Sequence, residues 1–409
     1  MDQVSLSTKA TTTSLWLDQE HSARPPLTEN ITTDIAIIGG GISGVSTALA
    51  LAERGYSPVV LEQHHLASGA SGRNAGFLIA GSVEYYHRAI GFIGHDKAKR
   101  FWQMSEENHT QLQRWISEND IHCDYQHKGS LVLAASASEF EEIQEAAAAL
   151  QQDGFQAEVL KGEELNKLGL PPDRYLGGYF CPDDGAVNPV KLVRGLGKAS
   201  EENSVRIFEQ SPVIRFEESR SGTVKIFTKD GHVEAQILIL ATNAYTPLLK
   251  ESLAGKIVPV RGQMLATEPV KSLVEVPCYA NFGYDYFRQL SDGRLIIGGS
   301  RDEDPELELG YEEIPTDAIQ SGLEEYLKSL LGDDDVPEIT HRWAGIMGFA
   351  RDGLPILGRI PSSRNIFITA GFTGHGMGIA TKMAEITADL ITEGKHPDFS
   401  LVSIRRFLT

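Results

Sequence analysis

Short β-branched apolar runs bounded by glycine alternate along this chain with longer stretches whose apolar residues recur every three or four positions. The run over 35–38 is too short for a helix and lacks polar alternation, which predicts a strand buried on both faces of a parallel sheet. Residues 42–54 carry small apolar side chains at helical spacing, and the run over 58–61 predicts a second strand, completing a strand–helix–strand unit. Helical spacing returns across roughly 85–120, where Phe101, Leu112, Trp115 and Ile116 are expected in the core, then in an Ala-rich helix over 138–152 and again over 185–198. A strand is expected over 130–134. Alternation between 205 and 241 predicts strands, with a turn at Lys229, Asp230 and Gly231 and a buried strand over 237–241. Residues 257–300 are strand-rich, with a hairpin turn at Ser291, Asp292 and Gly293. The chain then closes on a glycine turn that runs straight into a helix. Residues 1–30 form a polar arm, anchored by Trp16 and Leu17, and no 20–50-residue repeat occurs.

Gly39, Gly41 and Gly44 stand at GxGxxG spacing directly after the first strand. The first permits a tight turn, the second a close approach of pyrophosphate to the backbone, and the third close packing of helix on strand. Ile42 and Ser43 open the helix, whose free N–H groups and positive dipole end suit phosphate. Glu62 ends the second strand 18 positions beyond Gly44, with Gln63 after it. A carboxylate there accepts hydrogen bonds from ribose hydroxyls and repels a 2′-phosphate. Together these residues predict a bound adenine dinucleotide.

Length and charge narrow the class. At 409 residues the chain exceeds one ordinary core, and dinucleotide elements recur at both ends and in the middle, so a second domain built from two insertions is expected. The expected division is an arm over 1–30, a discontinuous nucleotide-binding domain over 31–90, 182–255 and 338–409, and a substrate domain over 91–181 and 256–337. No apolar run reaches the 18 residues of a membrane helix. The first thirty residues lack the apolar region of a secretory signal, so a cytoplasmic place is expected, with peripheral membrane contact left open. Three scattered cysteines, Cys123, Cys181 and Cys278, point to reduced, buried thiols and neither to a disulfide framework nor to a metal site. A net charge of −19 disfavours nucleic acid and suits cationic amines.

Beyond these features, several phrases resemble the D-amino-acid-oxidase-like family of FAD-dependent oxidoreductases: GGGISG at 39–44, LEQHHLASGASGRNAGFL at 61–78, DGAVNP at 184–189, ILATNAY at 239–245, PVRGQ at 259–263, DYFRQLSDGRLIIGG at 285–299, WAGIMGFARDGLPILG at 343–358 and AGFTGHGMG at 370–378. The SGASGRN and GFTGHG wording is most similar to the γ-glutamylputrescine-oxidase members. The resemblance implies an α/β fold in which a Rossmann-like FAD-binding domain is interleaved with an antiparallel-sheet substrate domain. It also implies FAD held by the loop containing Ser68, Ser71, Gly72, Arg73, Asn74, Ala75 and Gly76, whose N–H groups and cation suit pyrophosphate or flavin edges. Val213, in a short strand, is expected at adenine. Ala241, Thr242 and Gly345 are expected beside the cofactor. Gly374, His375, Gly376, Met377 and Gly378 are expected at the pyrimidine end, where helix N–H groups stabilise developing negative charge. His375 would add a proton or charge there, or satisfy a backbone carbonyl.

Two departures from the family bear on chemistry. Met347 stands where glycine-oxidase-like relatives carry a carboxylate-binding arginine, so a larger or carboxylate-poor amine is expected, with Tyr284, Tyr286 and Arg288 lining its site and Arg288 or Arg351 as replacement cations. No cysteine follows Cys278, so FAD is expected to be non-covalent, and Ile296 occupies the position expected for an oxygen-activating lysine. The implied reaction is oxidation of a primary or secondary amine to an imine, then hydrolysis, with oxygen or a quinone as acceptor. Alternatives are a D-amino-acid or glycine-type enzyme, an NAD-dependent dehydrogenase and a flavin-binding subunit without turnover; oligomeric state is left open.

Overall fold

The computed structural model describes residues 12–171, 174–302 and 304–407; the side chain of residue 334 and the first eleven residues of the expected arm lie outside them. The Asn30–Ile38 strand is buried over its last four residues and pairs in parallel with His232–Leu240 on one side and Val59–Leu61 on the other. Arg206–Phe208 extends that sheet in parallel beyond Val59–Leu61, and Ile366–Ala370 extends it beyond His232–Leu240. Burial on both faces explains why these strands read as continuous apolar runs.

The first helix, Ile42–Ala52, is buried at every position from Ile42 to Leu51. Its neighbours are the C-terminal helix Gly376–Thr392 and the helix Pro189–Glu202. Small residues permit this three-sided enclosure, and Gly44 is required by it: a Cβ there would lie 1.9 Å from the Gly39 carbonyl oxygen.

A second eight-stranded sheet, almost wholly antiparallel, follows the order Ile339–Ala350, Ile257–Pro269, Arg294–Gly299, Asp285–Gln289, Cys278–Ala280, Ser130–Ala134, Gly177–Cys181 and Glu158–Lys161. The strand Ile339–Ala350 stood on the nucleotide-binding side of the expected boundary at 338, yet it pairs along almost its whole length with Ile257–Pro269 in this sheet. It thereby sets Met347 opposite Val260 on the edge strand of this sheet. Helix Asp317–Leu331 contributes Leu323 and Leu327 to the core on one face of the sheet, with Leu295 and Ile297. The opposite face looks toward the nucleotide-binding elements.

The helix expected over 185–198 begins later, at Pro189, and ends at Glu202. Gly185 and Ala186 pair with Phe77 and Leu78, which delays the helix until Pro189. The Asn188 side chain caps it by accepting from the Lys191 N–H, with proline at the first helical position. The arm is anchored largely as expected: Leu15 and Trp16 are buried, Leu17 packs at the margin of the same core, and the Trp16 indole N–H donates to the Asn74 carbonyl at 2.7 Å. All three cysteines are free and buried.

Candidate functional site

A cleft of about 450 Å³ opens at the carboxyl ends of Asn30–Ile38, Val59–Leu61 and His232–Leu240, the place where open parallel sheets bind ligands. Gly39, Gly41, Ile42 and Ser43 form its floor, with Glu62 and Gln63 at one end. The floor is closely fitted. Gly39 has φ +113°, and a Cβ there would meet the Ala241 carbonyl at 2.6 Å. A Cβ on Gly41 would lie 2.8 Å from the Ser71 hydroxyl, which itself accepts the Ile42 N–H at 2.9 Å. Bare backbone therefore faces the cleft at the start of a helix, a surface complementary to pyrophosphate.

Glu62 is buried and accepts the Gly40 N–H at 2.7 Å and the His64 N–H at 2.9 Å. Burial raises its pKa, the two N–H donors opposing that shift. Each carboxylate oxygen keeps acceptor capacity for a hydroxyl. Val213, Ala241, Thr242, Ser71 and Asn74 complete the wall. Val213 lies in the extended segment before the Arg215–Glu218 strand and not within a strand, because its neighbour Ile214 already bonds Phe227 outside the ladder.

The cleft joins a second cavity of about 480 Å³ through Ala70, Asn74, Met347, Gly374 and Met377, which border both. The Gly374–Gly378 turn passes along this junction and opens the Gly376–Thr392 helix. Gly378 is pressed against the Ile79 carbonyl, where a Cβ would come within 2.2 Å. Beyond the junction the lining is aromatic: Phe77, Trp102, Tyr179, Tyr279, Tyr286 and Phe349. Tyr279 and Tyr286 are paired across adjacent strands with ring centroids 5.7 Å apart. Burial raises the pKa of Tyr179, Tyr279 and Tyr286, so all three remain protonated phenols at neutral pH.

His375 is half-buried at the junction, its ring parallel to Tyr279 at 6.4 Å. Its Nδ1 lies 3.3 Å from the Thr373 carbonyl, which assigns the proton to Nδ1 and the lone pair to Nε2. Burial lowers its pKa, and the Arg301 charge acts in the same direction. Burial therefore disfavours a positive charge at His375, and the ring meets the Thr373 carbonyl, the other role expected of it.

Several expected residues support the site from behind. Gly44, Ser68, Gly72 and Gly76 line neither cavity. Gly72 packs under Ala67 and Val190, Gly76 under Val187, and Ser68 closes the turn at His65 and accepts from Arg73. Asn74 spends its amide on Ala70, Ser71 and Gly76. Arg73, Ala75 and Gly345 line the aromatic cavity, but the Arg73 guanidinium is already engaged by Glu313 at 3.1 Å and by the Ser68 and Ala344 carbonyls. It is not the free cation the loop was expected to offer.

Arg288 is the clearest displacement. Tyr284 and Tyr286 line the aromatic cavity as expected, whereas Arg288 is 6% exposed, points under the arm and donates to the Gly76 and Val187 carbonyls. Its guanidinium lies 5.2 Å from the Trp16 ring centroid. Burial pushes its pKa down to about 9. Arg351 is exposed and outside both cavities, and Ile296 is fully buried in the core and reaches neither. Sequence reasoning missed Arg301, Tyr279, Tyr179 and Phe349, all of which line the aromatic cavity. The signal for Arg301 was its place just past the end of the LIIGG strand, where a side chain can turn into a sheet-bounded cavity.

The chain matches the family described as FAD dependent oxidoreductase over residues 34–390. It is 32% identical over 380 residues to a probable oxidoreductase OrdL of Haemophilus influenzae, covering 90% of this chain and 84% of that protein. To the gamma-glutamylputrescine oxidoreductase of Escherichia coli it is 30% identical over 379 residues, covering 89% and 85%. The crystal structure of glycine oxidase from Geobacillus kaustophilus superposes with a TM-score of 0.79 at 22% identity, covering 92% of this chain and 99% of that one.

Proposed function

For a chain that belongs to the FAD-dependent oxidoreductase family, we propose that the aromatic cavity oxidises an amine larger than glycine to an imine, which water then hydrolyses to a carbonyl compound. The observation that carries this reading is the junction at Met347 and Gly374, where the glycine-floored cleft opens into a second cavity lined largely by aromatic rings. When bound, FAD supplies the two-electron acceptor for a C–H bond next to nitrogen.

The residues fit that group. Gly39, Gly41, Ile42, Ser43 and Glu62 would hold its nucleotide half, and the Gly374–Gly378 turn its far end. The protein's own contribution is binding, orientation and proton management. Phe77, Tyr279 and Tyr286 form an aromatic wall beside the junction, and their mutual edge-on packing fixes their rings. His375 Nε2 is a neutral acceptor there, placed to take a proton from an ammonium substrate so that nitrogen presents its lone pair. Buried phenols, lacking charge, orient the amine without trapping it as a cation.

Among the described residues, Met347 and the commitment of Arg73 to Glu313 leave no free guanidinium at the junction, which disfavours a small α-amino acid whose carboxylate would have to sit there. Similarity to a gamma-glutamylputrescine oxidoreductase and to glycine oxidases supports a C–N substrate. The test is product stoichiometry with an artificial electron acceptor. One carbonyl and one released amine or ammonia per two electrons supports the reading; acceptor reduction without carbonyl release overturns it.

A further inference from the structure

Arg301 lines the aromatic cavity, is half-buried, and among the described residues makes neither an ion pair nor a side-chain hydrogen bond. Its guanidinium carbon lies 5.6 Å from the Tyr284 ring centroid and 5.3 Å from that of Phe349. Aromatic faces hold a guanidinium by cation–π attraction while leaving its in-plane N–H edge available for a bidentate acceptor. The other arginines on this cavity are neutralised: Arg88 by Glu142 and Glu84, Arg73 by Glu313. Among the described residues Arg301 is thus a cation held in place without a counter-ion, in a chamber lined mainly by aromatic rings and by charges already paired.

Its position sets a distance. Met347 borders the cofactor cleft, whereas Phe349 borders only the aromatic cavity. The two share one face of the same strand and are therefore separated by roughly 6.6 Å along it. Tyr284, on the other side of Arg301, is 40% exposed and marks the mouth. Arg301 consequently lies outward of the junction, yet its charge still reaches Tyr279, Tyr286 and His375, lowering the proton affinity of each.

We propose that Arg301 is the specificity-determining carboxylate anchor of this site, and that it selects amines whose carboxylate is separated from the oxidised carbon by several bonds. The inference rests on the amine-oxidation reading for the identity of the reacting end, but carboxylate binding can be measured without turnover.

The probe is hexanoate, with 1-hexanol as its neutral counterpart, titrated into FAD-loaded protein while the flavin absorbance bands are followed. Hexanoate is expected to perturb the bands and hexanol to do so far more weakly. Arg301→Gln is expected to weaken hexanoate by about 10- to 100-fold, the loss of a charge-assisted bidentate pair, and Arg301→Lys to recover part of it. FAD content and melting midpoint report whether each variant is folded. Equal hexanoate affinity in wild type and Arg301→Gln overturns the proposal. In turnover, chain-matched amines with and without a terminal carboxylate should differ in KM in the wild type and converge in Arg301→Gln; no difference in the wild type also overturns it. If hexanoate binding depends on Arg301 while no amine is oxidised, the amine-oxidation reading fails and the anchor stands.

Discussion

Replacing Glu62 with glutamine tests the nucleotide half of the site most sharply. In the protein its two oxygens accept the Gly40 and His64 N–H groups at 2.7 and 2.9 Å from a buried position at the end of the Val59–Leu61 strand. A glutamine keeps one acceptor oxygen and turns its amide NH2, itself a donor, toward the second N–H. Leaving one buried N–H unsatisfied costs about 1–3 kcal/mol of apoprotein stability. Losing the ionised acceptor for ribose hydroxyls removes a further ~1.5–3 kcal/mol from cofactor binding, which is about 10- to 150-fold in Kd. The assay is titration of FAD into apoprotein, read by quenching of flavin fluorescence, alongside the melting midpoint of the apoprotein. A variant that binds FAD as tightly as wild type would refute the placement of the ribose at Glu62. A variant that melts lower but keeps its affinity would reduce Glu62 to a clamp on the glycine turn.

Gly44→Ala should abolish soluble, flavin-containing protein, since its Cβ would sit 1.9 Å from the Gly39 oxygen; full flavin occupancy by absorbance ratio would contradict the close helix–strand contact. Asp184, buried, accepts the Ser130 hydroxyl and the Ala80 N–H, but burial still raises its pKa to about 7. With the folded value raised from 3.8, its stabilising contribution is complete at low pH and is lost as pH rises toward and through 7, by up to about 4 kcal/mol. Asp184→Asn, which can preserve both hydrogen bonds, should flatten that decline in urea unfolding across pH 4–8; an unchanged slope would refute it. His375→Ala should lower kcat/KM by about 100-fold near neutral pH and recover at alkaline pH, where the amine arrives without its proton; a pH-independent defect would exclude His375 Nε2 as the acceptor.

What the sequence made legible was local. Gly39, Gly41, Gly44 and Glu62 act within one strand–helix–strand unit, so their spacing already encodes their geometry. The cavity beyond Met347 depends on long-range pairing. Tyr279 meets Tyr286 across a strand register, and Phe349 reaches Arg301 because the long Ile339–Ala350 strand lies along the edge of the second sheet. Arg288 illustrates the same limit: alternation groups it with Tyr284 and Tyr286, but two residues further along the strand it has passed beneath the arm, and Trp16, far away in sequence, decides its environment. Helix starts failed where tertiary pairing intervened, as when Gly185 and Ala186 joined Phe77 and Leu78, and where Gly94, at φ +88°, divides the stretch expected over 85–120 into Tyr86–Ile93 and His95–Glu118.

The proposed chemistry places oxidation of an amine at the junction of the two cavities, with FAD as the electron acceptor. An anaerobic absorbance spectrum of the FAD-loaded protein, taken before and after adding a panel of amines, amino acids and carboxylate-bearing amines, tests it most directly. The flavin bands are expected to bleach with an amine longer than glycine and to recover when air or a quinone is admitted. Flavin bands that no member of the panel bleaches from mildly acid to alkaline pH would contradict it.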